Sequence, residues 1–218
     1  RFDSGFMNDV YDKDFEFVSC SLSECPSERG NAVSIGGHYE GCRIGFDAGG
    51  SDRKVSAVID GKPVYSEEVV WHPKQQADPY YHLNEIVKAF KTAASKMPRV
   101  DAIGVSSAGV FIENSPMVSS LFIKVPREKR DFVKNIFVNA AKQIGDIPIV
   151  VANDGDVTAL SGAMSMETGE VLGIAMGTSE AVGYVNIDGS ILGWLNELAF
   201  AQVDLNENAF SLRSTGAK

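Results

Sequence analysis

From Cys42 onward, short apolar runs alternate with apolar stripes at helical spacing. That alternation restricts the fold more than any other feature of the chain. CRIGFDAGG (42–50) reads as a strand ending in an aspartate and two glycines. RKVSAVIDGKPVYSEEVVW (53–71) reads as two strands joined at Asp60-Gly61, a dipeptide suited to tight hairpin turns. Asp78-Pro79 offers a helix cap and a first-turn proline. Behind it Leu83, Ile86, Val87, Phe90, Ala94 and Met97 share one helical face. VDAIGVSSAG (100–109) is a fourth strand, and after Pro126 a second stripe runs through Phe132, Val133, Ile136, Phe137, Ala140, Ala141 and Ile144. PIVVAND (148–154) is a fifth strand, too apolar to alternate, as expected of a strand covered on both faces. GDVTALSGAMSM (155–166) reads as a short helix packed through small residues.

Three leading strands followed by helical crossovers predict a mixed α/β sheet flanked by helices on both faces. At Glu170 the pattern restarts. EVLGIAMGTS (170–179) is a strand, and AVGYVNIDGSILGW (181–194) is a hairpin turning at Asp188-Gly189. The opening of the first domain is thus echoed about 130 residues on. A second copy needs its own helices, yet only 48 residues follow Glu170, so the second domain is expected to be incomplete in this sequence. The division that follows is an N-terminal extension (1–41), a first lobe (42–168) and the start of a second lobe (169–218). The extension is acidic and turn-rich, with short strands allowed at 15–18 and 32–35.

Charge narrows the partners. Lys and Arg number 20 against 29 Asp and Glu, a formal net charge of −9 that repels phosphate backbones and anionic lipid. The basic cluster Lys124, Arg127, Lys129, Arg130 has Glu128 interleaved and Asp131 beside it, and reads as a solvated face. Nucleic acid and membrane are therefore disfavoured, and no apolar run reaches the ~20 residues needed to span a bilayer. Cys20, Cys25 and Cys42 are an odd number at loose spacing, which suits free thiols, neither a disulfide framework nor a metal site. His38, His72 and His82 share no ligand spacing. The cytoplasm is the expected location.

Open α/β sheets gather ligands at the carboxyl ends of their strands. Asp47-Ala48-Gly49-Gly50-Ser51 is one such end. Its glycines let backbone N–H groups approach an anion, a hydroxyl and a cation from Asp52-Arg53-Lys54 can add to that cradle, and Asp47 could hold Mg²⁺ through water. An ordinary glycine-rich hairpin is the plain alternative. Met176-Gly177-Thr178-Ser179 occupies the matching place in the apparent repeat. Asn153-Asp154 follows the apolar fifth strand, where Asp154 suits a general base toward a hydroxyl and Asn153 could orient that hydroxyl. Asp154 serving only as a helix cap stays open. Ser106-Ser107-Ala108-Gly109 could line a sugar pocket through hydroxyls and backbone amides, and Glu197 could bind a polyol; both segments could equally be plain loops.

These groups in this order resemble the ROK family of sugar kinases and regulators, within the actin-like ATPase (RNase H-like) fold. Residues 45–51 are similar to that family's first phosphate loop, Asp-x-Gly-Gly-Thr. Residues 152–160 are similar to its Glu-Asn-Asp-Ala-Asn-Ala-Ala-Ala segment, in which the Asp is the catalytic base. Residues 173–183 resemble its second phosphate loop, although Ser179 and Ala181 stand at two of its glycines. Glu197 matches the glutamate of its Gly-Glu-Ile-Gly-His segment, with Phe200 in place of the histidine. The family's cysteine-rich zinc motif has no counterpart here.

The resemblance implies an ATP-dependent transfer of phosphate to a sugar hydroxyl, with Mg²⁺ at Asp47 and Asp154 as base. Asp47, Gly49, Gly50, Ser51, Gly177, Thr178 and Ser179 would hold the phosphates. Ser107, Gly109, Asn153, Asp154 and Glu197 would face the sugar, and a homodimer is among the allowed assemblies. The competing expectation is a non-catalytic sugar sensor on the same fold, although 1–41 does not look like a DNA-reading helix-turn-helix. An ATPase working through an iron–sulfur centre would need clustered cysteines, and none lie near the junction of the two lobes.

Overall fold

The structure, a computed structural model, describes residues 2–27, 30–176 and 180–193. In chain order its elements begin with α1 (Phe2–Tyr11), β1 (Ala32–Val33), β2 (Cys42–Ala48), β3 (Asp52–Ile59), β4 (Lys62–Val70) and α2 (Pro79–Ala94). Then come β5 (Ala102–Ser107), β6 (Val110–Ile112), β7 (Ser115–Val118), α3 (Arg130–Lys134), α4 (Ile136–Lys142) and β8 (Ile149–Asn153). The described part closes with α5 (Asp154–Met166), β9 (Val171–Met176), β10 (Glu180–Val185) and β11 (Ile191–Leu192).

Alternation along β2 sets the architecture. Cys42, Ile44, Phe46 and Ala48 are buried on one face, while Arg43, Gly45 and Asp47 look to the other. Around this strand a five-stranded sheet forms in the order β4-β3-β2-β5-β8. The three leading strands are antiparallel neighbours, and β5 and β8 join by parallel pairing after helical crossovers. Asp60 and Gly61 both take positive φ, 47° and 75°, as the two-residue turn between β3 and β4 requires. At the start of α2 the Asp78 carboxylate accepts the Tyr80 N–H at 3.2 Å, with Pro79 in the first turn. The apolar stripe of α2 and that of α4 then cover one sheet face, packing Ile86, Phe90, Ile136 and Phe137 on Ile44, Phe46 and Val105. Phe46 and Phe90 meet edge to face, with ring centroids 5.4 Å apart.

The second sheet, ordered β1-β11-β10-β9, is antiparallel throughout. Helix α5 lies against β9 and β10 through glycines. A Cβ on Gly183 would stand 2.3 Å from the Gly155 carbonyl oxygen, and one on Gly173 would stand 2.3 Å from the Ala159 nitrogen. Only glycine permits this approach of helix to hairpin.

Several expectations are corrected. The stripe after Pro126 is two helices, not one. Asn135 breaks it at φ −100°, ψ 6°, and its side-chain amide donates to the Asp131 carbonyl at 2.9 Å. Residues 15–18 form no strand, and residues 2–11 form a helix that the acidic composition conceals. Asp9 of that helix meets two residues of the basic cluster read as solvated, Arg127 and Arg130, and Asp12 just beyond the helix reaches Lys134. Lys134 pairs with Asp12 at 2.6 Å, and Arg130 with Asp9 at 3.3 Å. The segment read as an extension also lends β1 to the second sheet, Ala32 pairing with Leu192. Residues 110–118, to which the sequence reading assigns no element, form the hairpin β6–β7, turning at Glu113 and Asn114 with φ of 49° and 69°. The expected helices flanking the central sheet are found: α2 and α4 cover one face, and α5 borders the other. The second face carries a hollow of about 530 Å³ over Gly45 and Gly104, bordered on one side by Val157 and Leu160 of α5. Val150 of the fifth strand is accordingly 40% exposed.

Gly183→Ala is expected to destabilise the chain by about 1–3 kcal/mol, because backbone must shift to admit the methyl group. Gly104→Ala, with nothing within 4 Å of the new methyl, should stay within about 0.5 kcal/mol of the parent. Denaturant unfolding of the two variants checks the contrast.

Candidate active site

Parallel register brings three strand ends level. Asp47 stands opposite Ser106 and Ser106 opposite Ala152, and one step on Ala48, Ser107 and Asn153 align. Asp47 and Ser106 look to the same sheet face, which sets the Ser106 hydroxyl beside the Asp47 carboxylate. Burial lifts the Asp47 carboxyl above its ordinary value; Ser106 and the Lys54 ammonium pull the other way, and Asp52 adds to the rise.

Asn153 is the cap of α5. Its Oδ1 accepts the Gly155 N–H at 2.8 Å, and its Nδ2 donates to the Gly109 carbonyl at 2.8 Å. This decides the alternative left open for Asp154, which is the first helical residue, not the cap. Its Oδ1 also accepts the Gly155 N–H, at 3.2 Å. Burial raises the Asp154 carboxyl above its ordinary value, and the negative charge of Asp47 raises it further. The Asp47 charge thus reaches Asp154, as a smaller cause than burial.

At the Gly49-Gly50 turn a Cβ on Gly49 would lie 2.6 Å from the Asp52 carbonyl oxygen, and one on Gly50 would lie 3.0 Å from Lys74 Nζ. The turn is held from behind by Trp71. The Trp71 indole N–H donates to the Gly49 carbonyl at 2.8 Å, and its backbone N–H donates to the Ser51 carbonyl at 3.1 Å. The Ser51 hydroxyl donates to Asp52 at 3.0 Å. The cations expected from the 52–54 run are engaged elsewhere. Arg53 is fully buried and pairs with Glu85 at 2.9 Å and Glu67 at 3.5 Å. Lys54 sits 2.6 Å from Asp52 and 3.9 Å from both Asp47 and Glu68.

Ser107 is buried, and its hydroxyl donates to the Ala48 carbonyl at 3.2 Å, tying β5 to β2. Gly109 takes φ 132°, and a Cβ there would stand 2.3 Å from the Val118 carbonyl oxygen. Gly177, Thr178, Ser179 and Glu197 lie outside the described residues. The strands flanking 177–179 pair Met176 with Glu180 and pack on the helix that Asp154 opens.

Trp71 and Lys74 escape the sequence reading, which names Ser106 only beside Ser107 as a possible sugar contact. Strand parity exposes Ser106: Ile103 and Val105 are core residues, so Ser107 shares their face and Ser106 takes the cleft side. Trp71 and Lys74 arrive through tertiary contact and leave no local signal. The three cysteines are free thiols, and among the described residues no three or more metal-ligating side chains cluster. No helix among them is long and apolar enough to cross a membrane.

No family model and no curated protein matches the sequence. Solved structures do. A ROK family transcriptional regulator, a homolog of the Escherichia coli MLC protein, superposes with a TM-score of 0.57 at 19% identity, over 76% of this chain and 42% of that one. An inorganic polyphosphate/ATP-glucomannokinase from Arthrobacter sp. strain KM gives 0.56 at 21% identity, over 76% and 65%. A ROK hexokinase from Thermus thermophilus gives 0.51 at 15% identity, over 72% and 50%. The fold is thus that of the ROK proteins, the actin-like ATPase fold, and the chain spans about half the length of the structures it matches.

An aspartate whose carboxyl is raised on folding stabilises the fold when protonated and loses that contribution as pH climbs through the raised value. Asp154→Asn, a neutral stand-in, should therefore raise the thermal midpoint at pH 7 by up to about 3 °C. The gain should vanish as pH falls below 3.8, the ordinary value, where the carboxyl becomes protonated in the folded and unfolded chain alike. A gain independent of pH would contradict the assignment.

Proposed function

We propose that this chain carries the phosphate-facing and acceptor-facing side of an ATP-dependent sugar kinase of the ROK type. The observation that supports this reading most is the pair of half-buried carboxylates, Asp47 and Asp154, at level strand ends, with Asp47 leading into a Gly-Gly turn. The solved neighbours include a glucomannokinase and a hexokinase. Their activities come to this chain only as part of the proposal, as does a cytoplasmic setting.

In this reading Asp154 takes the proton of the acceptor hydroxyl. As it does so, the hydroxyl oxygen forms its bond to the γ-phosphorus. The bond from that phosphorus to the bridging oxygen breaks, and ADP leaves with the electron pair. A base whose pKa is lifted toward the working pH accepts the proton more readily, and positioned bases of this kind contribute about 10²–10⁴ in rate. Asn153 holds the Gly109 carbonyl and the Gly155 N–H, which keeps the loop after β5 beside the base. Backbone N–H groups of the Gly49-Gly50 turn would face the phosphates, since side chains there are excluded by contact. The donor set at the strand end fits Mg²⁺: Asp47 is a carboxylate oxygen donor with Ser106 beside it, and the ion when bound would neutralise phosphate charge. Ser51, Gly177, Thr178 and Ser179 belong to the same phosphate-binding proposal, and Ser107, Gly109 and Glu197 to the sugar side.

The test is Asp154→Asn in the full-length protein, following ADP release over a panel of hexoses and N-acetylhexosamines. The rate should fall by about 10²–10⁴. An unimpaired rate overturns the assignment of the base. Sugar binding without phosphate transfer in the parent protein would point to a sensor instead.

A further inference from the structure

A polyphosphate bound at a Gly-Gly turn brings several negative charges to a chain whose own net charge is −9, so backbone amides alone leave that charge poorly balanced. The adjacent basic residues do not supply the balance. Arg53 is buried between Glu85 and Glu67, and Lys54, though half-exposed, is paired with Asp52 at 2.6 Å and lies 3.9 Å from both Asp47 and Glu68. We infer that Lys74, 23 residues beyond Ser51, is the cation that contacts the polyphosphate at this turn. The inference rests on the phosphate-binding reading proposed above and adds to it a residue from outside the loop.

Geometry carries the assignment. Cε and Nζ of Lys74 both lie 3.0 Å from the point where a Cβ on Gly50 would stand, so the ammonium rests over the open side of the glycine. Lys74 is half-buried, and among the described residues no carboxylate lies within 4.0 Å of its ammonium. The absence of a side chain at position 50 is what leaves room for it.

The backbone that carries Lys74 is fastened at four points. Trp71 donates twice, through its indole to the Gly49 carbonyl and through its backbone N–H to the Ser51 carbonyl. The His72 N–H donates to the Tyr81 hydroxyl at 3.2 Å. His82, fully buried in α2, places Nε2 3.0 Å from the Pro73 carbonyl and 3.1 Å from the Leu121 carbonyl, so that nitrogen carries the proton and donates to both. Two of the four fastenings attach the 71–75 segment directly to the Gly-Gly turn. The distance between lysine and turn is therefore set by hydrogen bonds, not by a flexible surface arm. Trp71 and His82 act as positioning residues for Lys74, and the ligand class is a linear polyphosphate, free or as the tail of a nucleotide.

The test is calorimetric titration of the full-length protein with MgATP and with inorganic tripolyphosphate, at low and high salt. Lys74→Met should weaken binding by about 10- to 100-fold and flatten its salt dependence, and Lys74→Arg should recover most of the loss. The thermal midpoint of Lys74→Met should stay within about 1 °C of the parent, because the side chain contributes no ion pair to the described fold. Loss of both ligands, or of MgATP alone where tripolyphosphate does not bind the parent, supports the assignment. Equal binding by parent and Lys74→Met overturns it and leaves the kinase reading standing. A parent protein that binds sugar but neither polyphosphate overturns both.

Discussion

The cleft depends on the parallel register that makes β2, β5 and β8 end together. With Asp47 opposite Ser106, and Ser107 opposite Asn153, chemistry from three separated stretches of sequence reaches one edge of one sheet. Packing fixes that register: a slip by one residue would turn Ile44, Phe46, Ile103 and Val105 out of the core that α2 and α4 cover. Asp47 and Gly45 stand on the opposite face for the same reason. The constraint that builds the hydrophobic core is therefore also the one that gathers the carboxylates.

Once gathered, the carboxylates are costly to the empty fold. Both Asp47 and Asp154 are held above their ordinary values by burial, and the charge of Asp47 opposes that of Asp154. Such an arrangement is unfavourable at neutral pH unless something cationic, or a proton taken from a ligand, relieves it. The glycine contacts of α5 with β9 and β10 matter for the same reason. They seat the helix that Asp154 opens directly on the hairpin flanking 177–179, so movement of that hairpin would be felt at the carboxylate.

Much of this was readable in the chain. The Asp60-Gly61 turn, the Asp78 cap, the α2 stripe and the strand ending in Asp47-Ala48-Gly49-Gly50 carry local signals, and each is found in the structure. What escaped depends on distant partners. The acidic segment 2–11 becomes a helix whose Asp9 meets Arg127 and Arg130, more than a hundred residues away. Asn135 divides one apolar stripe into two helices, through a side-chain bond that periodicity does not register. The division of labour between Ser106 and Ser107 was available from strand parity, and composition alone hid it. Lys74 reaches Gly50 only because Trp71 and His82 fold its segment back onto the turn, which no motif encodes.

The central claim is that Asp47 and Asp154 stand at neighbouring strand ends, near enough for one charge to act on the other, and carboxyl titration by NMR tests it most directly. With aspartate carboxyl carbons labelled, both residues should titrate above the ordinary 3.8. Replacing Asp47 with Asn should lower the Asp154 titration slightly and leave it above that value, because one charge has gone while burial, the larger cause, remains. Titration of Asp154 that ignores the Asp47→Asn change would mean the two groups occupy separate surroundings, and their placement as neighbours would have to be abandoned.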